Sequence, residues 1–312
     1  MNTHSKYQNL LDACKGLPPT PTAVVHPCDR SSLEGALGAA RLGLIRPILV
    51  GPEHRIREVA RLAGIDLTGI PIVDAPHSHA AAEAAVELVL KGEAEALMKG
   101  SLHTDELMGA VVRRDRGLRT ARRISHCFVM DVPSYDQPLI ISDAAVNIQP
   151  TLECKVDIVQ NAIDLAHALG FPEVRVAILS AMETVNPQVP STIEAAALCK
   201  MAERGQITGA ILDGPLALDN AISLHAAEVK KIDSQVAGRA NVLIVPDLDA
   251  GNMLAKSLTF LAGADAAGIV LGAKVPIILT SRADSEIARM ASCAVAVLVA
   301  LARRTAAPKA VA

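Results

Sequence analysis

The stretch IVPDLDAGNMLAK, residues 244–256, marks a change from strand to helix and sets the pattern for the whole fold. An apolar run ends at Val245, Pro246 interrupts it, and two acids with Ala-Gly-Asn lead into a helix predicted over 251–263. Proline and glycine commonly break the chain at such a change. The first N–H groups of a helix, together with its dipole, form a site for anions. The stretch therefore predicts a strand, an anion-binding turn and a helix.

Short apolar runs alternate with helical patterns along most of the chain. TAVVHP (22–27) precedes one helical pattern, and RPILVG (46–51) precedes the next. This alternation implies a mainly parallel sheet with helices on both faces. Two strand-like runs, SHCFVMDV (125–132) and PLIISDAAV (138–146), have no helix between them and are predicted to pair directly.

The predicted fold class is α/β, with two α/β domains built on mainly parallel sheets. A chain of 312 residues is long enough for two domains of ordinary size. No flexible linker is visible, so we expect the chain to cross between the domains more than once. The first predicted domain is discontinuous and holds residues 1–137 and 271–312. The second holds residues 138–270.

Composition excludes several classes of partner. The chain has no Trp, two Tyr and three Phe, which argues against a stacking surface for nucleic acid. A net charge of −3 argues against general polyanion binding. The longest apolar run, ASCAVAVLVALA (291–302), is shorter than the roughly 20 residues that a membrane span needs. The N-terminus lacks the apolar core of a signal peptide. We therefore expect a cytoplasmic protein without nucleic-acid or membrane partners.

The cysteines favour neither disulfides nor a metal site. Six cysteines are scattered, and none forms C-x-x-C or lies at zinc-like spacing from a histidine. Reduced thiols and no metal are the simplest interpretation.

The segment TSRADSE, residues 280–286, follows a buried-type strand. Ligands of open α/β sheets bind at the carboxyl ends of strands. Ser281 offers a hydroxyl there, and Arg282 offers a planar fork for an oxyanion. The alternative is that Ser281 or Asp284 only caps the following helix.

The segment LMKGSLHT, residues 97–104, has the composition of a phosphate site. Lys99, Ser101, His103 and Thr104 surround a glycine turn at a predicted helix start. The alternative is a Thr104 cap beside an ordinary surface histidine. An arginine-rich segment follows over 113–123, and Gly117 breaks it, so some arginines, Arg119 among them, lie on a loop that could fold over a ligand.

Other predicted strand ends carry polar residues as well. Asp213 follows one strand, Asp143 and Asn147 follow another, and Ser180 and Glu183 follow a third. At least five strand ends terminate in Gly, Ser, Asp or Asn, which indicates a polar ligand site along these ends. The chain carries none of the glycine motifs of dinucleotide-binding folds, P-loops or α/β-hydrolases.

Several ordered segments resemble the phosphate acetyltransferase/phosphate butyryltransferase family. They include MKGSLHT (98–104), SDAAVNIQPTL (142–152), VPDLDAGNMLAKSLTF (245–260) and GIVLGAKVPIILTSRADS (268–285). The resemblance covers nearly the whole chain and implies reversible transfer of an acyl group from coenzyme A to phosphate. It also implies an interdomain cleft, a fold similar to isocitrate and isopropylmalate dehydrogenases, and a homodimer or larger assembly. The coenzyme A thioester is then a substrate, and no permanently bound cofactor is needed.

Details of the resemblance point to one branch of the family. VNPQVP, GPLALDNA and TSRADS look more like butyryltransferases than classical acetyltransferases. The chain is also similar to the transferase part of bifunctional enoyl-CoA hydratase/phosphate acetyltransferases, and it starts almost directly at that part. We therefore expect a C3–C5 acyl group to react at least as well as acetyl, and any hydratase to be a separate partner.

The resemblance assigns roles to several residues. Ser281 and Arg282 match the pair that lies at the thioester in the acetyltransferases. The family's catalytic aspartate lies seven residues after that serine, where this chain has Ala288. Asp284, Glu286 or no protein base at all remain open, because phosphate is itself partly dianionic near pH 7.

The stretch at 244–256 matches a signature of the family. Asn252 and the Gly251 amide are then expected to face ligand, with Lys256 one turn deeper. Alternatively, Asp249 or Asn252 caps the helix and Lys256 is solvated.

Two other function classes stay open at this point. A metal- and NAD(P)-dependent decarboxylating dehydrogenase shares the fold but needs an aspartate cluster, and the aspartates here are scattered. The second class is a non-catalytic protein that binds coenzyme A as the partner of a separate hydratase. Ala288 is compatible with it, because the resemblance places the family's catalytic aspartate at that position.

Overall fold

The computed structural model describes residues 5–279 and 285–306. Contacts divide the chain into two compact units. Unit 1 holds Met1–Lys6 and Arg123–Ala266, and unit 2 holds Tyr7–Arg122 and Ala267–Ala312.

The strands of the described residues are β1 (Thr20–Val25), β2 (Ile45–Gly51), β3 (Ile72–Asp74), β4 (Ala96–Lys99), β5 (Ser125–Asp131), β6 (Leu139–Ser142), β7 (Arg175–Leu179), β8 (Ile211–Leu216), β9 (Val242–Ile244), β10 (Asp265–Leu271) and β11 (Ile277–Ile278).

The helices of the same residues are α1 (Ser5–Ala13), α2 (Arg30–Arg41), α3 (Glu53–Ala63), α4 (Ser78–Leu90), α5 (Thr104–Val111), α6 (Leu152–Ala168), α7 (Pro190–Glu203), α8 (Leu218–Ile222), α9 (Leu224–Val229), α10 (Leu248–Leu261) and α11 (Glu286–Ala306). Among the described residues, no helix is both long and apolar enough to span a membrane.

The sheet of unit 2 runs in the order β3-β2-β1-β4-β11-β10. Its neighbours pair in parallel except β10 and β11, which are antiparallel. The run Ala23–Val25 in β1 is fully buried, as expected for a parallel strand with both faces covered. Helix α4 packs on β1 and β2, and α11 packs on α2 and β11.

The sheet of unit 1 runs in the order β5-β6-β9-β7-β8. β5 and β6 pair directly as antiparallel neighbours, which confirms the pairing predicted for these two runs. The other pairs are parallel. One core cluster joins Ile141, Leu179, Leu216 and Leu243 from four strands. Because β6, β9 and β7 are parallel neighbours, their carboxyl ends lie at the same edge of the sheet.

The predicted fold class, α/β with mainly parallel strands in two parts, is confirmed. The compact units change at 122/123 and 266/267, whereas the predicted domains change at 137/138 and 270/271. Pairing of β5 with β6 keeps residues 125–142 together in unit 1. Compact units need not coincide with functional domains, so the predicted domain boundaries stay a prediction.

Gly100 is the glycine that the turn after β4 requires. Its N–H donates to the Val25 carbonyl at 2.9 Å. A Cβ at this position would lie 2.4 Å from that oxygen and 2.7 Å from the His26 carbonyl oxygen. Both obstacles are backbone atoms, so the turn admits no side chain without moving β1.

We predict that Gly100→Ala destabilises the protein by about 1–3 kcal/mol, because the added methyl overpacks the end of β1. The matched control is Gly109→Ala inside α5, where a Cβ meets nothing within 4 Å. That change should stabilise the protein by about 0.5–1 kcal/mol, since glycine is a poor helix former. Urea unfolding of both variants measures the difference, and a Gly100→Ala protein as stable as its parent would refute the steric argument.

Candidate active site

The carboxyl ends of β1, β2 and β4 in unit 2 meet around His26, which follows β1. The Ser101 hydroxyl donates to the His26 carbonyl at 2.8 Å and accepts the Cys28 N–H at 3.3 Å. His26 Nδ1 lies 3.0 Å from the same hydroxyl oxygen. A hydroxyl has one hydrogen, so Nδ1 is the donor in that contact. Gly51 from β2 packs against the His26 backbone.

His26 is held in an unusual conformation. Its φ of 54° lies in the left-handed region, which non-glycine residues adopt at a cost. Such residues persist where the surroundings determine them, often at functional sites. Burial lowers the pKa of His26, and the charge of Arg55 lowers it further. The ring is therefore neutral near pH 7, with the proton on Nδ1.

The residues at 99–104 that are predicted to bind phosphate lie around the turn after β4, where Lys99 and Ser101 donate to backbone carbonyls. Lys99 Nζ donates to the carbonyls of Gly100 at 3.3 Å and Leu102 at 3.1 Å. The N-cap of α5 is His103, and Thr104 is the first helical residue, so the alternative of a Thr104 cap is wrong. The His103 N–H donates to Glu106 Oε2 at 2.8 Å. An anion-binding role for these residues stays a prediction.

The arginine-rich segment leaves the helix as predicted, since α5 ends at Val111. Arg119 is exposed and bridges Ala273 as an isolated antiparallel pair. Thr120 Oγ1 donates to the Gly272 carbonyl at 2.6 Å. Arg113 pairs with Glu83 and Asp115 on the surface. The Arg119 loop is thus fixed beside the segment that leads into β11, and its contact with substrate stays a prediction.

Asp143 organises the turn after β6 in unit 1. Its Oδ1 accepts the N–H groups of Ala145 at 2.9 Å and Val146 at 3.0 Å. Its Oδ2 accepts Asn147 Nδ2 at 2.6 Å and the Asn147 N–H at 3.2 Å. The carboxylate is only 2% exposed. Four donors occupy its lone pairs, so Asp143 shapes the turn and is not available as a general base.

Helix α10 starts directly against this turn. A Cβ on Gly251 would lie 2.8 Å from the Asp143 carbonyl oxygen and 3.1 Å from Ala144 Cα. Asn252 Nδ2 donates to the Ala144 carbonyl at 3.3 Å. Gly251 is therefore required for close approach of two backbones, and Asn252 ties the helix to the turn after β6.

The cap of α10 differs from both predicted alternatives. Asp247 is the N-cap and accepts the Ala250 N–H at 2.9 Å, so neither Asp249 nor Asn252 has that role. The helix begins at Leu248, three residues earlier than the predicted 251, because the acid that caps it follows the proline directly. Lys256 is exposed. Ligand contact by Asn252 and Lys256 stays a prediction.

Asp213 lies inside a strand, and the prediction that it follows one is wrong. β8 continues to Leu216 through the glycine and proline that were expected to end it. Asp213 Oδ1 accepts the Gly214 N–H at 2.8 Å. Substrate binding by Asp213 stays a prediction.

Three of the predicted residues, Ser281, Arg282 and Asp284, lie outside the described residues. Glu286 begins α11 and is exposed. Ala288 is 4% exposed inside the helix, and its N–H donates to Ser285 Oγ at 3.1 Å. The family's aspartate position is thus a buried apolar site in this chain. Among the described residues, no group of three or more His, Cys, Asp or Glu is placed to hold a metal ion.

Sequence reasoning did not single out His126. The ring is 1% exposed, and its edge packs on Phe128 with centroids 4.4 Å apart. Within the described structure, its Nδ1 has no hydrogen-bond partner. Burial lowers the pKa of His126 to about 4, against the opposing charge of Asp143. A histidine inside an apolar strand pattern carries no chemical signal of its own in the sequence.

The buried His126 makes the stability of the protein depend on pH. Its pKa is about 4 when folded and 6.5 when unfolded, so the unfolded chain binds the proton first as pH falls. The stability that depends on a neutral His126 is therefore complete above pH 6.5 and is lost progressively as pH falls toward the lower folded pKa.

We predict that His126→Phe removes this part of the acid sensitivity, because phenylalanine binds no proton. Urea unfolding between pH 7 and pH 4.5 should show a shallower loss of stability than in the parent protein. The control is His54→Gln, which changes an exposed histidine and should leave the slope unchanged. Equal slopes in parent and His126→Phe would show that His126 is not buried as a neutral ring.

The sequence matches a known protein family over most of its length. A family model described as "Phosphate acetyl/butaryl transferase" matches residues 78–297. A phosphate acetyltransferase of Rhizobium meliloti is 64% identical over 97% of this chain and 96% of its own length. A phosphate butyryltransferase of Clostridium acetobutylicum is 41% identical over 87% of this chain and 90% of its own length.

A solved structure has the same fold. It is the crystal structure of a branched-chain phosphotransacylase from Enterococcus faecalis V583, which is 29% identical to this chain. The TM-score is 0.79, and the match covers 90% of this chain and 99% of that one.

Proposed function

The chain belongs to the phosphate acetyl/butyryl transferase family and transfers an acyl group between coenzyme A and phosphate, and we propose that its preferred acyl group is acetyl. The observation that carries this proposal is the extent of its identity, over nearly the whole chain, with a phosphate acetyltransferase. The relatives named phosphate butyryltransferase share markedly less sequence with it. Sequence identity thus favours acetyl, whereas three short motifs favour a C3–C5 acyl group, and we propose acetyl because the identity extends over nearly the whole chain.

The reaction needs charge and positioning more than a strong base. A phosphate oxygen attacks the thioester carbonyl, a tetrahedral oxyanion forms, and the thiolate of coenzyme A leaves as the carbonyl reforms. Phosphate must be held in attack geometry, and the oxyanion and the thiolate need nearby donors. Asp143 has its lone pairs occupied, and position 288 is alanine. We propose that phosphate attacks as its own dianion.

We predict that acetyl-CoA has a higher kcat/KM than butyryl-CoA in phosphate-dependent release of free coenzyme A. Each additional methylene in a fitted pocket changes the activation free energy by about 1–3 kcal/mol, so the two methylenes of butyryl should together lower kcat/KM about 30-fold or more. The same assay with propionyl-CoA should give an intermediate value. Butyryl-CoA as the better substrate would restore the branch assignment made from the motifs.

Ser281 and Arg282 are proposed as the catalytic pair, with Arg282 donating to the phosphate or the oxyanion. We predict that Arg282→Lys lowers kcat/KM roughly 30- to 1000-fold, because lysine keeps the charge and loses the planar fork. Arg113→Lys is the control, since Arg113 pairs with Glu83 and Asp115 on the surface. Folding of both variants should match the parent. Unchanged kinetics of Arg282→Lys would exclude Arg282 from the catalytic pair.

The homodimer and the separate hydratase partner implied by the resemblance stay predictions. One exposed side of α10 supports the dimer: Met253, Phe260 and Leu261 are 66%, 79% and 86% exposed. Large exposed apolar side chains that share one helix face commonly mark an interface. A mass in solution of 32.6 kDa, that of a single chain, would contradict the dimer.

A further inference from the structure

Lys155 occupies a position in unit 1 that stability alone does not favour. It lies in the first turn of α6, at the positive end of the helix dipole, where a cation is unfavourable. Its side chain is only 5% exposed. Among the described residues, its ammonium has one acceptor, Glu194 Oε2 of α7. Burying an ammonium is costly, and its mutual attraction with one carboxylate often fails to offset the loss of hydration.

The surroundings of Lys155 have the character of an anion site. α6 follows β6 and α7 follows β7, so both helices start at the carboxyl edge of the unit 1 sheet. Ser191 and Glu194 lie one turn apart on α7 and share a face. Ser191 Oγ lies 2.8 Å from Ser180 Oγ at the end of β7. One hydroxyl donates to the other, so one hydroxyl hydrogen is left to donate elsewhere.

The start of α7 adds one donor beside the Ser191 hydroxyl. Val189 is its N-cap, Pro190 has no N–H, and the Thr192 N–H donates to the Val189 carbonyl at 2.9 Å, so the Ser191 N–H is the donor that the first turn leaves without a capping side chain. A buried ammonium, two serine hydroxyls and the Ser191 N–H favour a ligand with several negative oxygens. Apolar residues of similar volume would suit stability better than the Lys155–Glu194 pair, so the pair has no need to exist for the fold.

We propose that Lys155, with Ser180 and Ser191, forms a subsite for a phosphate group, and that Glu194 balances the ammonium charge when the subsite is empty. This rests on the proposed acyl transfer, whose substrates carry phosphate groups. The group is either inorganic phosphate, with its acyl ester, or a phosphate of coenzyme A. Glu194 is 29% exposed, so it is the member of the pair that can turn toward solvent when the anion binds.

The proposal predicts opposite effects of changing the two partners. Lys155→Met removes the cation and should raise the KM for the phosphate-bearing substrate at least tenfold, with kcat within about threefold of the parent. Glu194→Gln keeps the size, removes the competing charge and should lower the same KM several-fold. A purely structural pair would give lower melting temperatures in both variants and no such opposition.

The experiment measures KM for inorganic phosphate in one direction and KM for coenzyme A in the other, on the full chain. Lys200→Met is the control, because Lys200 is an exposed lysine of α7, the helix that carries Glu194, and pairs with Glu203. A change confined to the KM for inorganic phosphate identifies that ligand. A change confined to the KM for coenzyme A, and absent with dephospho-coenzyme A, identifies the 3′-phosphate. A change that persists with dephospho-coenzyme A identifies the diphosphate.

A double variant keeps the test decisive if Lys155→Met fails to fold. Lys155→Met with Glu194→Leu replaces the pair by apolar side chains, and KM values equal to those of the parent in this protein would overturn the proposal. The shift in melting temperature caused by inorganic phosphate or coenzyme A is measured alongside, since it needs no turnover. A parent protein without turnover would refute the proposed function. A ligand-induced shift that Lys155→Met abolishes would still support the subsite.

Discussion

The carboxylate of Asp143 makes the hydrogen bonds on which the carboxyl edge of the unit 1 sheet depends. It gathers three backbone N–H groups and the Asn147 amide into one turn at the end of β6. That turn is the surface against which Gly251 packs without room for a side chain. The start of α10, the neighbouring β9 and the Asn252 side chain take their places from it. The Asp143 carboxylate, whose hydrogen bonds are all made within this turn, thus has a structural role here.

In unit 2, a serine hydroxyl has the corresponding role at the strand ends. Ser101 joins the ends of β4 and β1 through the His26 carbonyl, the His26 ring and the Cys28 N–H. Gly100 allows the two strand ends to approach within contact of backbone on backbone. In both units, a glycine that allows close backbone approach and one polar side chain fix the chain where a strand ends. In unit 2 they join the ends of β4 and β1, and in unit 1 they join the turn after β6 to the start of α10.

The sequence predicted the parts of this arrangement that depend on local pattern. Alternating apolar runs and helical patterns identified the α/β class, and the missing helix between 132 and 138 identified the β5–β6 pair. The helix caps were harder to predict. Thr104 is the better N-cap residue by propensity, yet His103 is the N-cap of α5, and Asp247 competes with Asp249 and Asn252, which have similar propensity. Asp213 was misplaced because glycine and proline usually end a strand, whereas β8 continues through both. Lys155 and His126 could not be singled out from the sequence, because their importance comes from burial, which depends on contacts between residues distant in sequence.

In the mechanism that we propose, an oxygen of phosphate attacks the carbonyl carbon of the thioester, and the protein supplies position and charge. Phosphate labelled with four ¹⁸O atoms tests this directly when it is incubated with acetyl-CoA and the protein and followed by ³¹P NMR. We expect acetyl phosphate that retains all four ¹⁸O atoms, formed in equal amount with free coenzyme A, because no bond to phosphorus breaks. Release of coenzyme A without acetyl phosphate, or acetyl phosphate that has lost one label, would contradict it.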